Sequence, residues 1–102
     1  MSKTREDLHE MLVQCLGSKY VYFQPPETLK LTYPCIIYER IGMSVKFADD
    51  SKYVKHKKYQ ITVVDSNPIS PIPDKVLDIK YCRFVRHYAT QGLNYDVFEI
   101  II

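Results

Sequence analysis

The sequence has little glycine, no tryptophan and no long apolar run. Three of its 102 residues are glycine, so it has no glycine-rich loop of the kind that holds phosphate groups. No apolar stretch approaches the ~20 residues that a membrane-spanning helix needs. Residues 1–7 lack the apolar stretch of a signal peptide. We therefore expect a cytosolic protein that neither crosses a membrane nor has a phosphate-binding loop.

Cysteine and histidine are also scarce. The residues of these two types are Cys15, Cys35, Cys82, His9, His56 and His87. An odd number of cysteines fits a reducing compartment and argues against a disulfide framework. Zinc needs about four ligands, usually in closely spaced pairs, and neither C-x-x-C nor H-x-x-x-H occurs. We expect no metal and no cofactor. A Cys/His nucleophile pair is an alternative that spacing alone does not exclude, because such residues meet only in space.

Acidic residues do not form a catalytic pair in the sequence. Asp49-Asp50 belongs to a turn cluster, residues 48–51, where aspartate is favoured because its side chain bonds the nearby backbone. A metal role for these two carboxylates would need several further oxygen ligands. We therefore expect that the protein is not an enzyme.

Charges of the two signs are almost balanced, with a formal net charge of +2, which is too small to indicate a nucleic-acid binder. Basic side chains nevertheless form one cluster. It consists of Lys52, Lys55, His56, Lys57 and Lys58, flanked by Tyr53 and Tyr59. Such a composition is typical of a groove for single-stranded nucleic acid, but lysine also protects strand edges from unwanted pairing. We favour a solvated edge or a charged protein contact, and a nucleic-acid module is the alternative.

The apolar periodicity predicts one α+β domain, as the chain length also indicates. A helix is predicted over residues 5–16, where apolar residues follow a 3.6-residue period. Thr4 is the expected N-cap, Asp7 completes a capping box, and Gly17 is the expected left-handed residue after the helix. The apolar stripe consists of Leu8, Met11, Leu12, Cys15 and Leu16.

Five runs of β-branched and aromatic residues predict strands. They cover residues 20–23, 35–41, 59–65, 82–88 and 95–102. A second short helix is predicted before the fourth strand, capped by Ser70 and beginning with Pro71. The result is an αβββαββ order, with a mostly antiparallel sheet of four to five strands flanked by two helices. Because Ile36 and Ile37 point to opposite faces, we expect the second strand to be central. A protruding hairpin arm is expected at residues 42–58.

Six blocks of sequence resemble a known family when taken in order. They are residues 5–12 (REDLHEML), 17–18 (GS), 21–27 (VYFQPPE), 33–40 (YPCIIYER), 59–68 (YQITVVDSNP) and 72–75 (IPDK). In this order they are similar to small neck proteins of long-tailed bacteriophages and prophages, of the tail terminator or tail completion type. The likeness covers most of residues 5–102 and is an overall pattern rather than a catalytic motif.

The resemblance implies a structural role. Tail terminators form a ring, typically six-fold, that caps the finished tail tube and joins it to the head connector. The implied partners are further copies of the chain, the major tail tube protein and the head completion protein of the head-tail connector. The implied location is the virion neck, with assembly in the cytoplasm of the bacterial host. No membrane and no specific nucleic acid are expected.

The contact residues are predicted from position alone, in the arm and the C-terminal strand. They are Val45, Phe47, Lys52, Tyr53, Lys55, Lys57, Lys58, Ile101 and Ile102.

Overall fold

The computed structural model describes residues 4–47 and 53–102. These residues form two helices and five strands in the order α1 (Arg5–Leu16), β1 (Val21–Phe23), β2 (Cys35–Phe47), β3 (Tyr53–Asp65), α2 (Ile72–Leu77), β4 (Cys82–Thr90) and β5 (Leu93–Ile101). The predicted α+β class and the αβββαββ order are therefore confirmed.

The strands form one sheet in the order β1-β2-β3-β5-β4. β1 is parallel to β2, and the other neighbouring pairs are antiparallel. β3 lies in the middle, so the prediction of β2 as the central strand is wrong, although β2 has a strand on either side from Ile36 to Tyr38. Ile36 is buried under the helices, whereas Ile37 is half-buried, because residues 24–31 cover its face only in part.

α1 begins and ends as the sequence predicts. The Asp7 backbone N–H donates to Thr4 Oγ1 at 3.3 Å, and the Thr4 N–H donates to Asp7 Oδ2 at 3.0 Å. This reciprocal pair is a complete capping box. Gly17 follows with a φ of 79°, which glycine adopts without a clash of Cβ. Leu8 and Leu12 of the predicted stripe are fully buried.

The core lies between the two helices and one face of the sheet, which we call the helix face. Tyr38, Ile61 and Phe98 lie side by side on this face, because β2, β3 and β5 pair in that register. All three are buried, and Leu12 of α1 and Val76 of α2 belong to the same cluster. Burying one large apolar side chain contributes roughly 1.5–3 kcal/mol. This cluster is therefore the main source of stability.

α2 begins one residue later than predicted. Pro71, expected at the first helical position, is the N-cap residue, and the helix starts at Ile72. Ser70 Oγ nevertheless accepts a hydrogen bond from the Ile72 N–H at 3.3 Å, as expected of a capping serine. Pro73 lies in the first turn, where a missing N–H removes no helical hydrogen bond.

The arm, residues 42–58, extends β2 and β3 beyond the end of β1. Its described residues pair from Gly42 opposite Lys58 to Phe47 opposite Tyr53. Both strands continue past the predicted runs of residues 35–41 and 59–65 into the predicted arm. A register shift just before Gly42 marks a bulge, and a bulge bends a strand and increases its twist. The molecule is elongated, with principal dimensions of 53 × 26 × 23 Å.

β4 and β5 form a hairpin joined by Gln91 and Gly92. Both residues have positive φ values, 52° and 78°, which is typical of a two-residue type I′ turn. β4 is the last strand at its end of the sheet, and its residues after Cys82 are all exposed.

Candidate interaction surfaces

The three thiols do not form a reactive centre. Burial raises the pKa of Cys35 to about 11. Burial, helped by the nearby Cys15, also raises the pKa of Cys82 to about 11. The pKa of Cys15 is itself raised by burial, against the opposite effect of Lys75. The thiolate is the nucleophile and the metal ligand, and all three groups are protonated thiols at neutral pH.

Two histidines contact oxygen atoms. The Arg5 guanidinium donates to the Tyr38 hydroxyl at 3.1 Å, and His9 Nδ1 lies 2.7 Å from the same oxygen. Arginine can only donate, so the hydroxyl proton is free to be donated to His9. His87 Nδ1 lies 2.8 Å from Asp96 Oδ1. These contacts tie α1 to β2 and β4 to β5. Among residues 4–47 and 53–102, no three His, Cys, Asp or Glu side chains are grouped to hold a metal ion.

Four of the predicted contact residues meet at the base of the arm. Lys57 and Ile102 exchange two backbone hydrogen bonds of 3.0 Å. Lys58 is the register partner of Ile101. Ile102 is half-buried against the core, whereas Lys57 and Ile101 are exposed. The C-terminal strand thus fastens the arm to the body and leaves Lys57 and Ile101 accessible.

The remaining predicted contact residues are farther along the arm. Val45 is opposite Lys55 in the register, and Phe47 is opposite Tyr53. Lys52 lies outside the described residues, as does the predicted Asp49-Asp50 turn.

Two further apolar residues lie at the arm base: Met43, which belongs to the predicted arm, and Ile41, which the sequence reasoning missed as a contact residue. Ile41 and Met43 are 42% and 52% exposed, and they flank Gly42 where β2 extends past its helix cover. We call Ile41, Met43 and the predicted Ile101 the arm-base residues. The available signal was the pair of large apolar residues on either side of a strand glycine, since such a glycine often marks a bulge.

A row of charged side chains crosses the opposite face of the sheet, which we call the open face. Glu99 of β5 lies between Lys58 of β3 and Arg83 of β4. Lys58 Nζ is 3.4 Å from Glu99 Oε2, which also accepts a hydrogen bond from the Arg83 guanidinium. The Arg83 contact lowers the pKa of Glu99 against the effect of burial, and Lys58 lowers it further. Lys58 is therefore already paired within the subunit.

The outer edge of β4 was also missed. In the described part of the chain, no strand pairs with this edge. Phe84, Val85 and Tyr88 are 47%, 39% and 42% exposed. Tyr88 is stacked on Tyr95 with ring centroids 4.7 Å apart, and the Arg86 guanidinium carbon lies 5.6 Å from the Tyr88 centroid. In the sequence of β4, Arg83 and Arg86 stand at odd and even positions, which in a regular strand point to opposite faces. An interior strand has at least one continuous apolar face, so this pattern was an available sign of an edge strand.

An open cleft of about 300 Å³ lies between residues 24–31 and the open face. Its lining includes Pro26, Leu29, Ile37 and Thr62, but no histidine, cysteine or lysine. A ligand site needs convergent polar groups that fix its ligand. Gln24, Glu27, Glu39 and Gln60 also line the cleft, and Gln24 Oε1 already accepts a hydrogen bond from the Arg40 N–H.

Comparison with family models and with curated proteins assigns no family to this chain. No protein-family model matches the sequence, and the search of curated proteins gives no significant match. The likeness to phage neck proteins stays a prediction from the sequence blocks. Neither described helix is long and apolar enough to cross a membrane.

Proposed function

We propose that this protein is a non-enzymatic structural component of the neck of a long-tailed bacteriophage. Copies of the chain form a closed ring, with six subunits expected, that terminates the tail tube and joins it to the head connector. The sequence blocks similar to tail terminator and tail completion proteins motivate this proposal. Its location is the virion neck, with assembly in the host cytoplasm, and it needs no cofactor.

The observation that carries the proposal is the arm with its uncovered apolar base. Ile41, Met43 and Ile101 are each about 40–50% exposed, although a folded subunit gains free energy by burying such side chains. Met43 is the register partner of the exposed Lys57, whereas Ile101 is the register partner of Lys58 and lies on the opposite face. Large apolar side chains among basic ones are typical of an oligomer contact, where an apolar centre is surrounded by a polar rim.

The distribution of charge favours a head-to-tail contact. The two helices pack against each other and expose carboxylates on their outer surface. These are Glu6, Glu10, Asp74 and Asp78. The arm base carries Arg40 and Lys57 instead. A contact between two different patches is heterologous, and it produces a ring when the rotation closes. The basic arm base of one copy would thus meet the acidic helices of the next.

The nucleic-acid alternative receives less support from the geometry. Lys57 and Lys58 are neighbours in β3, so their side chains leave opposite faces of the sheet. Lys58 is paired with Glu99. The basic cluster is therefore divided at its described end, and one of its charges is compensated.

Native mass spectrometry of the full chain over a range of concentrations tests the proposal. Wild type should form one closed oligomer, alone or on added tail tubes. Met43→Asp and Lys57→Glu should weaken this assembly at least tenfold, an effect of about 1.4 kcal/mol or more, without lowering the melting temperature of the subunit. Lys30→Glu, an exposed change outside the arm, is the matched control. A chain that stays monomeric under all these conditions would contradict the proposal.

A further inference from the structure

We propose that the outer edge of β4 binds an extended acidic segment of another protein, which adds to the sheet as a sixth strand. β4 has nine residues, from Cys82 to Thr90. It lies at the end of the strand order, so its outer backbone groups have no strand partner among the described residues. This proposal goes beyond the ring and does not depend on it.

The edge of β4 lacks the usual protection against strand addition. Exposed edges are commonly kept short or carry lysine or proline. The sequence of β4, CRFVRHYAT, has neither residue. Two protective features are present: the charges of Arg83 and Arg86, and a register shift between Phe84 and Arg86, which places Val85 at a bulge. The stretches on either side of this bulge stay regular, and a partner strand can pair there with the free N–H and C=O groups.

Side chains on both faces of β4 offer apolar contacts to a sixth strand. Phe84 is on the helix face, because it pairs with the buried Phe98, and the two rings meet edge to face at 5.5 Å. Tyr88 is on the open face, where its register partner is Tyr95. Each exposed ring lies beside the position that an added strand would occupy. Alternate apolar residues of the partner would cover them.

The charge of β4 determines the kind of partner. The strand carries Arg83, Arg86 and His87 and has no carboxylate of its own. Glu99 and Asp96 of β5 pair with Arg83 and His87. In the described ranges, Arg86 has no carboxylate within ion-pair distance. An added strand with Glu or Asp near Arg86 would gain a cross-strand pair, whereas a basic strand would be repelled.

A second copy of this chain fits the edge less well. Two β4 strands paired with each other would bring like charges together across the new interface. In the described chain, the sides of β2 beyond β1 and of β3 beyond β5 also lack a strand partner. Both are basic, because they have Arg40 and Lys46 against Glu39, and Lys55 with His56, and β1 has three residues and no carboxylate. Opposite charge is therefore supplied by a different protein.

A nucleic acid also fits less well than a peptide. Base stacking needs an open aromatic face, but the Tyr88 ring is already stacked on Tyr95 and approached by Arg86. The outward N–H and C=O groups of alternate β4 residues, in contrast, recognise another backbone and offer nothing specific to a phosphate chain.

The probe is a capped synthetic peptide of about nine residues that alternates Glu with Val and carries one Tyr, matching the length of β4. Two matched controls are the same peptide with Lys in place of Glu, and the acidic peptide with N-methyl groups on alternate residues. Binding to the full chain is measured by calorimetry, and its location by hydrogen exchange of backbone amides.

We expect the acidic peptide to bind and to slow amide exchange in residues 82–90. The Lys peptide and the N-methylated peptide should bind at least tenfold more weakly, because they lack the charge and the backbone donors, respectively. Arg86→Glu should weaken the acidic peptide by about tenfold, whereas Lys30→Glu should leave its affinity unchanged.

Three results would overturn the proposal. The acidic and basic peptides could bind equally or not at all. Oligo-dT could bind and protect residues 82–90, which would make the edge a nucleic-acid site. Protection of residues 82–90 could instead rise with protein concentration alone, which would identify a second copy as the occupant. Ring formation, tested with Met43→Asp, is read separately, so the two proposals can fail independently.

Discussion

The body of the sheet and the arm are formed by the same two strands but are packed differently. In the body, Tyr38 and Ile61 are paired and fully buried beneath the helices. At the arm base, Met43 is 52% exposed, because no described helix reaches that far. Burial of apolar surface is the dominant favourable term in folding. The body therefore holds the fold, and the arm has free energy still to gain from a partner.

The two margins of the sheet differ in the same way. β1 has three residues, and Gln24 closes its end: the Gln24 N–H donates to the Tyr38 carbonyl at 3.0 Å, and its Oε1 accepts from the Arg40 N–H at 3.3 Å. β4 has nine residues and no such closure in the described chain. The Gln24 bonds join β1 to its neighbour β2, so the two margins differ in length, and β4 offers the longer free side to a contact.

The largest expected effect is in the body. Leu12→Asp would bury a carboxylate without a partner, at a cost of several kcal/mol against a total stability of about 5–15 kcal/mol. The domain should unfold or aggregate. Gln14→Asp, on the exposed side of α1, should change the melting temperature little. Equal effects of the two substitutions in thermal melts would show that α1 does not hold the body together.

A smaller effect is expected where α1 is tied to β2. Tyr38→Phe removes the hydroxyl that bonds Arg5 and His9 but keeps the buried ring. We expect a loss of about 1 kcal/mol in the free energy of unfolding, measured with denaturant. Tyr81→Phe, which alters a 70% exposed ring, is the control and should have no measurable effect. A stability loss shared by both variants would mean that the buried hydroxyl contacts do not matter.

The open face should show a weak dependence on pH. Contact with Arg83 lowers the pKa of Glu99 in the folded state from its ordinary value of 4.5. The stabilisation is therefore present above about pH 4.5 and is lost as the pH falls through the lowered pKa. Arg83 is largely exposed, so we expect about 0.2–1 kcal/mol. Denaturant titrations from pH 7 to 3 should show this loss in wild type and in Glu10→Gln, but not in Glu99→Gln. An unchanged pH profile in Glu99→Gln would contradict the assignment.

The last prediction concerns the wild-type protein and needs no substitution. In a monomeric sample, amides of Val45, Phe47 and Tyr53 in the arm should exchange faster than those of Ile61 and Val63 in the body. Ile61 and Val63 are buried in the core, whereas Met43 and Lys57 at the arm base are exposed, and local opening is easier where fewer buried contacts oppose it. Hydrogen exchange followed by mass spectrometry measures both sets in one experiment. Equal protection of arm and body would remove the distinction between them.

Local signals explain why α1 was predicted to the residue. Thr4 and Asp7 specify the beginning of α1, and Gly17 specifies its end, each next to the helix terminus it marks. The predicted third strand began only at residue 59, and residues 53–58 were given to the hairpin arm, because they show no apolar alternation and are held by backbone pairing with β2. Such pairing depends on a distant segment, which a local pattern does not contain.

The contact surfaces were predicted only in part, for a related reason. Lys57 and Ile101 lie accessible at the arm base, as a contact would need, but Lys58 is paired with Glu99, which is far away in the sequence. The exposure of Phe84 depends on how far the two helices extend over the helix face, and that of Tyr88 on what covers the open face. Sequence periodicity gives the identity of a strand, whereas burial follows from what lies above it.

The central proposal is tested most directly by cryo-electron microscopy of purified tailed phage particles that contain this chain. We predict a closed ring of this chain at the head-proximal end of the tail tube, with the arm base of each copy against the helices of the next. A neck that contains no ring of this chain, in particles that are otherwise complete, would contradict the account.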